Sequence, residues 1–263
     1  MNLNVGEHYT ISLLGMNVHM DTLITLWIAM AIILFFAFLS VLKINILPNK
    51  IQAVFENIVS VFVRMTEGLG KEQGTSALVL MCIFLLIIVS NLIGQLPFKL
   101  IHLPQGELAS PTNDLNTTLA LAVFVLVYYI GKGIKAKGIK YFKHYYKPVW
   151  FMTPFNIMED FTRPLTLSVR LFANILAGEI LIMVLGTLTV SVLTPETARQ
   201  FFYNITHGFL NFSSAAAYNI SVFLGSFLPL PIMFFELFVA FIQALVFTLL
   251  ANAYIKSAVG SSH

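Results

Sequence analysis

"RPLTLSVRLFANILAGE", residues 163–179, decides how this chain is read. Arg170 stands in the middle of an apolar helical pattern, and Glu179 follows nine residues later. Both are costly in a protein interior and costlier in a bilayer, so the first question is which solvent the helix meets. Of the 263 residues, 58% are hydrophobic and only 10% are charged, with a mean hydropathy of +0.85. A soluble domain carries about 25% charged residues. The chain is therefore an integral membrane protein. Residues 22–42 and 73–98 hold no charge at all, and a helix needs about 20 such residues to cross the hydrocarbon. The single cysteine, Cys82, lies in an apolar run. It excludes a disulfide within the chain and lends no support to a metal cluster. The opening "MNLNVGEHYT" (1–10) is polar and lacks a basic start, unlike a signal peptide.

Working outward from that stretch, the expected fold class is all-α. It is a polytopic membrane protein of about five membrane helices and one interfacial amphipathic helix, with a long tilted helical hairpin at the C-terminal end. A single membrane domain over 1–263 divides as follows. An outer segment (1–21) precedes a span (22–42), an amphipathic helix (50–69) and two further spans (76–96 and 115–131). A basic loop (132–150), a tilted helix carrying Arg170 (154–193), an extra outer-side segment (194–228) and a last helix (229–256) complete it. In the amphipathic segment, Ile51, Val54, Phe55, Ile58, Phe62 and Met65 recur at helical spacing, while Glu56, Asn57, Ser60 and Arg64 mostly fall elsewhere. That pattern suits a helix lying on the membrane surface. The tilted helix, if continuous, is about 60 Å long, twice the hydrocarbon thickness.

Orientation follows from lysines. The run "KGIKAKGIKYFKHYYK" (132–147) holds six lysines in sixteen residues. Beside a membrane span such a run is a cytoplasmic loop rather than a nucleic-acid patch. With 132–147 inside, the third span runs inward, the second outward and the first inward. Lys43 and Lys50 then fall in the cytoplasm too, an independent agreement. The N-terminus lies outside and Lys256 marks a cytoplasmic end.

Ionisable residues within membrane segments are functional candidates by default. Here they are Arg170, Glu179 and Glu236, accompanied by the neutral Asn174 and Gln243. Between Arg199 and Lys256, Glu236 is the only formal charge. On an antiparallel hairpin, Glu179 lies about 13.5 Å beyond Arg170, and Glu236 about 10.5 Å before Gln243. If Gln243 faces Arg170, the two glutamates come to a similar level. Around the helix, Asn174 lies about 40° from Arg170 but Glu179 about 180° away, which argues against one structural ion pair. Two carboxylates at one depth do not both ionise cheaply, so they can share and relay a proton. An arginine stays protonated and holds a nearby carboxylate ionised. Together these residues describe an ion pathway ending beside a fixed positive charge.

At this point the chain resembles a known family. "RPLTLSVRLFANILAGE" is similar to the signature segment of subunit a of the F-type ATP synthase, which usually reads close to RLFGNxxAGE. "ELFVAFIQALVFTLLANAYI" (236–255) resembles that family's last helix, and "NLIGQLP" (91–97) and "SPTNDLNTTLALA" (110–122) agree as well. The resemblance implies a proton-translocating, non-catalytic stator subunit, with ATP chemistry in other subunits. It forms two half-channels against a ring of c subunits. Arg170 matches the essential arginine facing the ring carboxylate. Glu179 and Glu236 match the polar positions of the outer half-channel, and Asn174 and Gln243 the residues beside the arginine. Asn91 and Asp114 are candidates for the outer water path, against helix packing for Asn91 and a helix N-terminal turn for Asp114. The implied partners are the c-ring, the b subunits of the peripheral stalk, membrane lipid and the transported proton. The choice of proton over sodium sits mainly in the c subunit. Neither a cofactor, a metal nor a nucleic acid is implied. The expected location is a bacterial plasma membrane, with a plastid thylakoid membrane as the alternative.

Two departures stand out. Ala173 takes a position where the signature often has glycine. In addition, 57 positions separate Glu179 from Glu236, longer than is usual in the family. The added piece is expected to stay at the outer face or dip in and out, with His207 and Tyr218 as packing or surface residues. His8 and His19 show no metal-ligand spacing. A secondary transporter or antiporter with a buried arginine at its substrate site is the competing function, although no internal repeat supports it. A membrane assembly factor with structural polar residues is the third reading.

Overall fold

The computed structural model describes residues 10–13, 16–42, 48–95, 102–103, 106–107, 110–138, 141, 151, 153–192 and 229–260. The fold is the expected all-α, polytopic one. Among the described residues, five helices are long and apolar enough to cross a membrane. They are α1 (Met20–Val41), α3 (Gln73–Gln95), α4 (Leu115–Lys137), α5 (Thr153–Val192) and α6 (Pro229–Val259). The shorter α2 (Lys50–Met65) is the amphipathic helix. Two small antiparallel hairpins accompany them: β1 (Thr10–Leu13) with β2 (Met16–His19), and β3 (His102–Leu103) with β4 (Gly106–Glu107). The expectations for 194–228, with His207 and Tyr218, and for 142–150 lie outside the described residues.

Local sequence explains the helix ends. Beyond Asp21, α1 carries no charge, and Trp27, Leu34, Phe35 and Phe38 are exposed on it, as suits a helix bathed in lipid. α2 stops where the Thr66 hydroxyl donates to the Phe62 carbonyl at 2.9 Å. The chain then reverses through Gly68 (φ +95°) and Gly70 (φ +58°), left-handed positions that glycine takes without strain. α4 starts at Asp114, whose carboxylate accepts the Asn116 N–H at 2.9 Å, an N-cap. It runs on to Lys137, so the first three lysines of the basic run are helical. Two of them have a reason to be: Lys132 and Lys135 both reach the carboxylate of Glu72.

The helices divide between two compact units, 1–173 with 240–263, and 174–239. In the first, Leu80, Ile83 and Ile87 of α3 are buried, as are Ala122, Val125 and Tyr129 of α4 and Leu167 and Leu171 of α5. α6 presents Ala240, Ala244, Ala251 and Ala258 at its buried face. Small residues there let helices approach closely, which drives packing where lipid and protein are equally apolar. Rings fill the wider gaps: Phe84 lies 5.4 Å from Phe62 and 6.1 Å from Phe241, centroid to centroid.

Side-chain bonds also assign the helix ends of this unit to two faces. Glu72 joins the start of α3 to the end of α4, and Asn252 near the end of α6 donates to the Met65 carbonyl at 2.8 Å. On the opposite face His19, just before α1, meets Asp114, just before α4, at 2.8 Å. Lysines mark the first face.

Candidate functional site

Arg170 points out of the first unit. The face of α5 that enters the core is set by Leu167, Ser168 and Leu171, all buried. At 3.6 residues per turn, Leu167 and Leu171 lie about 60° and 100° to one side of Arg170. Burying them leaves the guanidinium on the exposed flank. A contact of 3.4 Å between the Ser168 and Thr118 hydroxyls fixes the rotation of α5 against α4. Arg170 makes no ion pair with any described residue. Ala173 follows it on the exposed side of the helix, and its short side chain leaves the charge open to a neighbouring surface. Asn174, on the next turn, is half-buried. Gln243 is buried on α6, on the face that carries Ala240, Ala244 and Phe247.

The second unit holds both glutamates, each half-buried. The Glu236 carboxylate of α6 lies against Gly178 of α5. A Cβ at position 178 would stand 2.8 Å from Glu236 Oε1 and 3.1 Å from its Cδ. Only a hydrogen side chain leaves that room. The two helices therefore meet one residue from Glu179, and a single residue rises only about 1.5 Å along a helix. Glu179 and Glu236 occupy neighbouring levels.

Asn91 and Asp114 belong to one polar cluster of the first unit. Asn91 is 3% exposed. Its Oδ1 accepts from the Thr112 hydroxyl at 2.8 Å, and its Nδ2 donates to the Ala240 carbonyl at 3.3 Å. The Ser110 hydroxyl donates to the Ser90 carbonyl at 3.1 Å and lies 2.8 Å from that of Thr112. Asp114, 6% exposed, caps α4 with one oxygen and meets His19 with the other. Asn91 thus ties α3 to α6, while Asp114 ties the start of α1 to that of α4.

A further cluster stands outside the residues singled out by sequence. Arg163 bonds Glu159 at 2.6 Å and Asp160 at 3.2 Å on its own helix. Its guanidinium lies 5.2 Å from the ring of Tyr254, within cation–π range. The Tyr129 hydroxyl donates to Asp160 at 3.2 Å. The i, i+3 and i, i+4 spacing of these charges was the available signal. The participation of His19, Ser110 and Thr112 had no comparable local signature.

A family model described as ATP synthase A chain matches residues 23–256. That range takes in Asn91, Asp114, Arg170, Asn174, Glu179, Glu236 and Gln243. With the match running from the first membrane helix into the last, the chain belongs to the ATP synthase A chain family, the a subunit of the proton-translocating membrane sector.

Proposed function

We propose that the chain forms two aqueous half-channels against a ring of c subunits, with Arg170 keeping the two apart. The observation that carries this reading is the outward guanidinium of Arg170, without an ion pair among the described residues and with the small Ala173 beside it. An arginine stays charged under ordinary conditions. A ring carboxylate brought against it is favoured in its ionised form and gives up its proton. It regains one after moving past. The fixed charge blocks direct proton passage between the half-channels because it does not itself exchange protons.

Glu179 and Glu236 serve the outer half-channel, as a pair of exchangeable carboxyls at neighbouring levels. Asn174 and Gln243 stand beside the arginine as neutral hydrogen-bonding groups. Asn91 and Asp114 border the outer water path from the polar cluster they share. The b subunits hold the chain in the stator, and ATP chemistry resides in other subunits. The lysine-rich face is cytoplasmic by the positive-inside rule, the N-terminus is outside, and the membrane is a bacterial plasma membrane. Membership of the family leaves the secondary-transporter alternative without support.

The test is Arg170→Ala in the whole complex. The expected outcome is loss of ion-driven ATP synthesis with the complex still assembled. Substantial coupled synthesis by assembled mutant complexes overturns the role given to Arg170.

A further inference from the structure

A cleft of 420 Å³ opens between α2 and α3, lined by Val59, Phe62, Val63, Lys71, Thr75 and Met81 among others. We propose that it holds one acyl chain of an anionic phospholipid, whose phosphate sits on Lys71.

Three observations carry this. The first is length. Lys71 at one end and Met81 at the other are ten residues apart, about 15 Å along a helix. That is half of the roughly 30 Å hydrocarbon, the depth of one leaflet. The second is access. Leu78 of the lining is exposed, so a lipid chain reaches the cleft from the surrounding bilayer.

The third is charge. The walls and floor are apolar, with Phe62 and Ala77 buried and Leu78 exposed. Polar groups collect only at the mouth. Lys71 is exposed there. The hydroxyl of Thr75 accepts from the Lys132 ammonium at 2.7 Å. Glu72, the acid nearest this mouth in sequence, is already engaged by Lys132 and Lys135. Lys71, Lys132 and Lys135 outnumber Glu72 at this end. A cationic rim above a one-leaflet apolar slot matches a lipid phosphate with its chain below. Basic pockets between membrane helices select anionic headgroups in this way.

The experiment reconstitutes the intact synthase complex in nanodiscs containing phosphatidylglycerol or phosphatidylcholine with a photoreactive acyl chain, then maps labelled peptides. It reads lipid contact without proton flux, so it stands apart from the function proposed above. Phosphatidylglycerol is expected to label the 59–81 region in preference to phosphatidylcholine. Lys71→Glu should reduce that labelling about fivefold or more, since one cation near an anionic surface contributes about 1 kcal/mol. Leu78→Trp, which narrows the slot from its exposed wall, should reduce labelling by both lipids. Equal labelling by the two lipids with no effect of Lys71→Glu overturns the proposal in favour of general acyl solvation. A photoreactive residue at position 78 that joins a polypeptide of the complex instead of lipid also overturns it.

Discussion

Glu236 leans its carboxylate on Gly178, in a space that a single methyl group would fill. Gly178→Ala is therefore a test of Glu236 that leaves Glu236 in place. The atom met is the far end of a flexible side chain, so the carboxylate can swing aside at little cost to folding. The variant is expected to assemble normally but to admit protons more slowly under an applied potential. Wild-type flux from Gly178→Ala complexes would show that the position of this carboxylate is immaterial.

Glu179→Gln and Glu236→Gln extend the argument to the pair. An amide does not exchange a proton as a carboxyl does, so each single change should slow potential-driven flux in reconstituted complexes. The double variant should lose less than the product of the single losses, because groups acting as one unit are not additive. Fully multiplicative losses would indicate two independent sites.

Arg170→Lys separates charge from shape. Lysine lacks the planar fork and loses its proton more readily when desolvated. The expected result is synthesis well below wild type, with a leak of protons through the membrane sector that Arg170 does not show. Near-normal synthesis and no leak would mean that any cation suffices.

Asp114 and Asn91 can be tested for their structural bonds. Asp114→Ala removes the α4 cap and should cost about 1 kcal/mol, whereas Asp114→Asn keeps a capping oxygen and should cost less. Asn91→Ala removes the bonds to the Thr112 hydroxyl and the Ala240 carbonyl, at about 1–3 kcal/mol. Thermal denaturation of the purified complexes, followed through protease resistance of this chain, ranks the three. Asp114→Asn as damaging as Asp114→Ala would move the weight from the cap to the contact with His19.

Much of the fold was legible because lipid imposes a simple rule on composition. Charge-free runs such as 22–42 and 73–98 announce themselves. The same rule misjudges where α4 ends. Lys132 reads as loop by composition, yet it is helical because Glu72, sixty positions away in sequence, receives it. The lone charge of Arg170 was equally plain, but its outward direction depends on which neighbours α5 buries, and Leu167 and Leu171 declare that only once α4 is packed beside them. Gly178 shows the limit most clearly. Nothing local distinguishes it from a helix-packing glycine, and its contact comes from a residue 58 positions later.

The exposure of Arg170 has a consequence for biosynthesis. A newly inserted chain carries this guanidinium on a lipid-facing flank before any neighbour covers it. A central arginine costs insertion about 2.5–3.5 kcal/mol, comparable to a sizeable part of the stability of an ordinary domain. An orphan chain bears that cost until another subunit covers this flank of α5. The residue proposed to separate the half-channels would then also act as a checkpoint, marking unassembled copies for turnover and making the order in which the subunits meet a matter of membrane energetics.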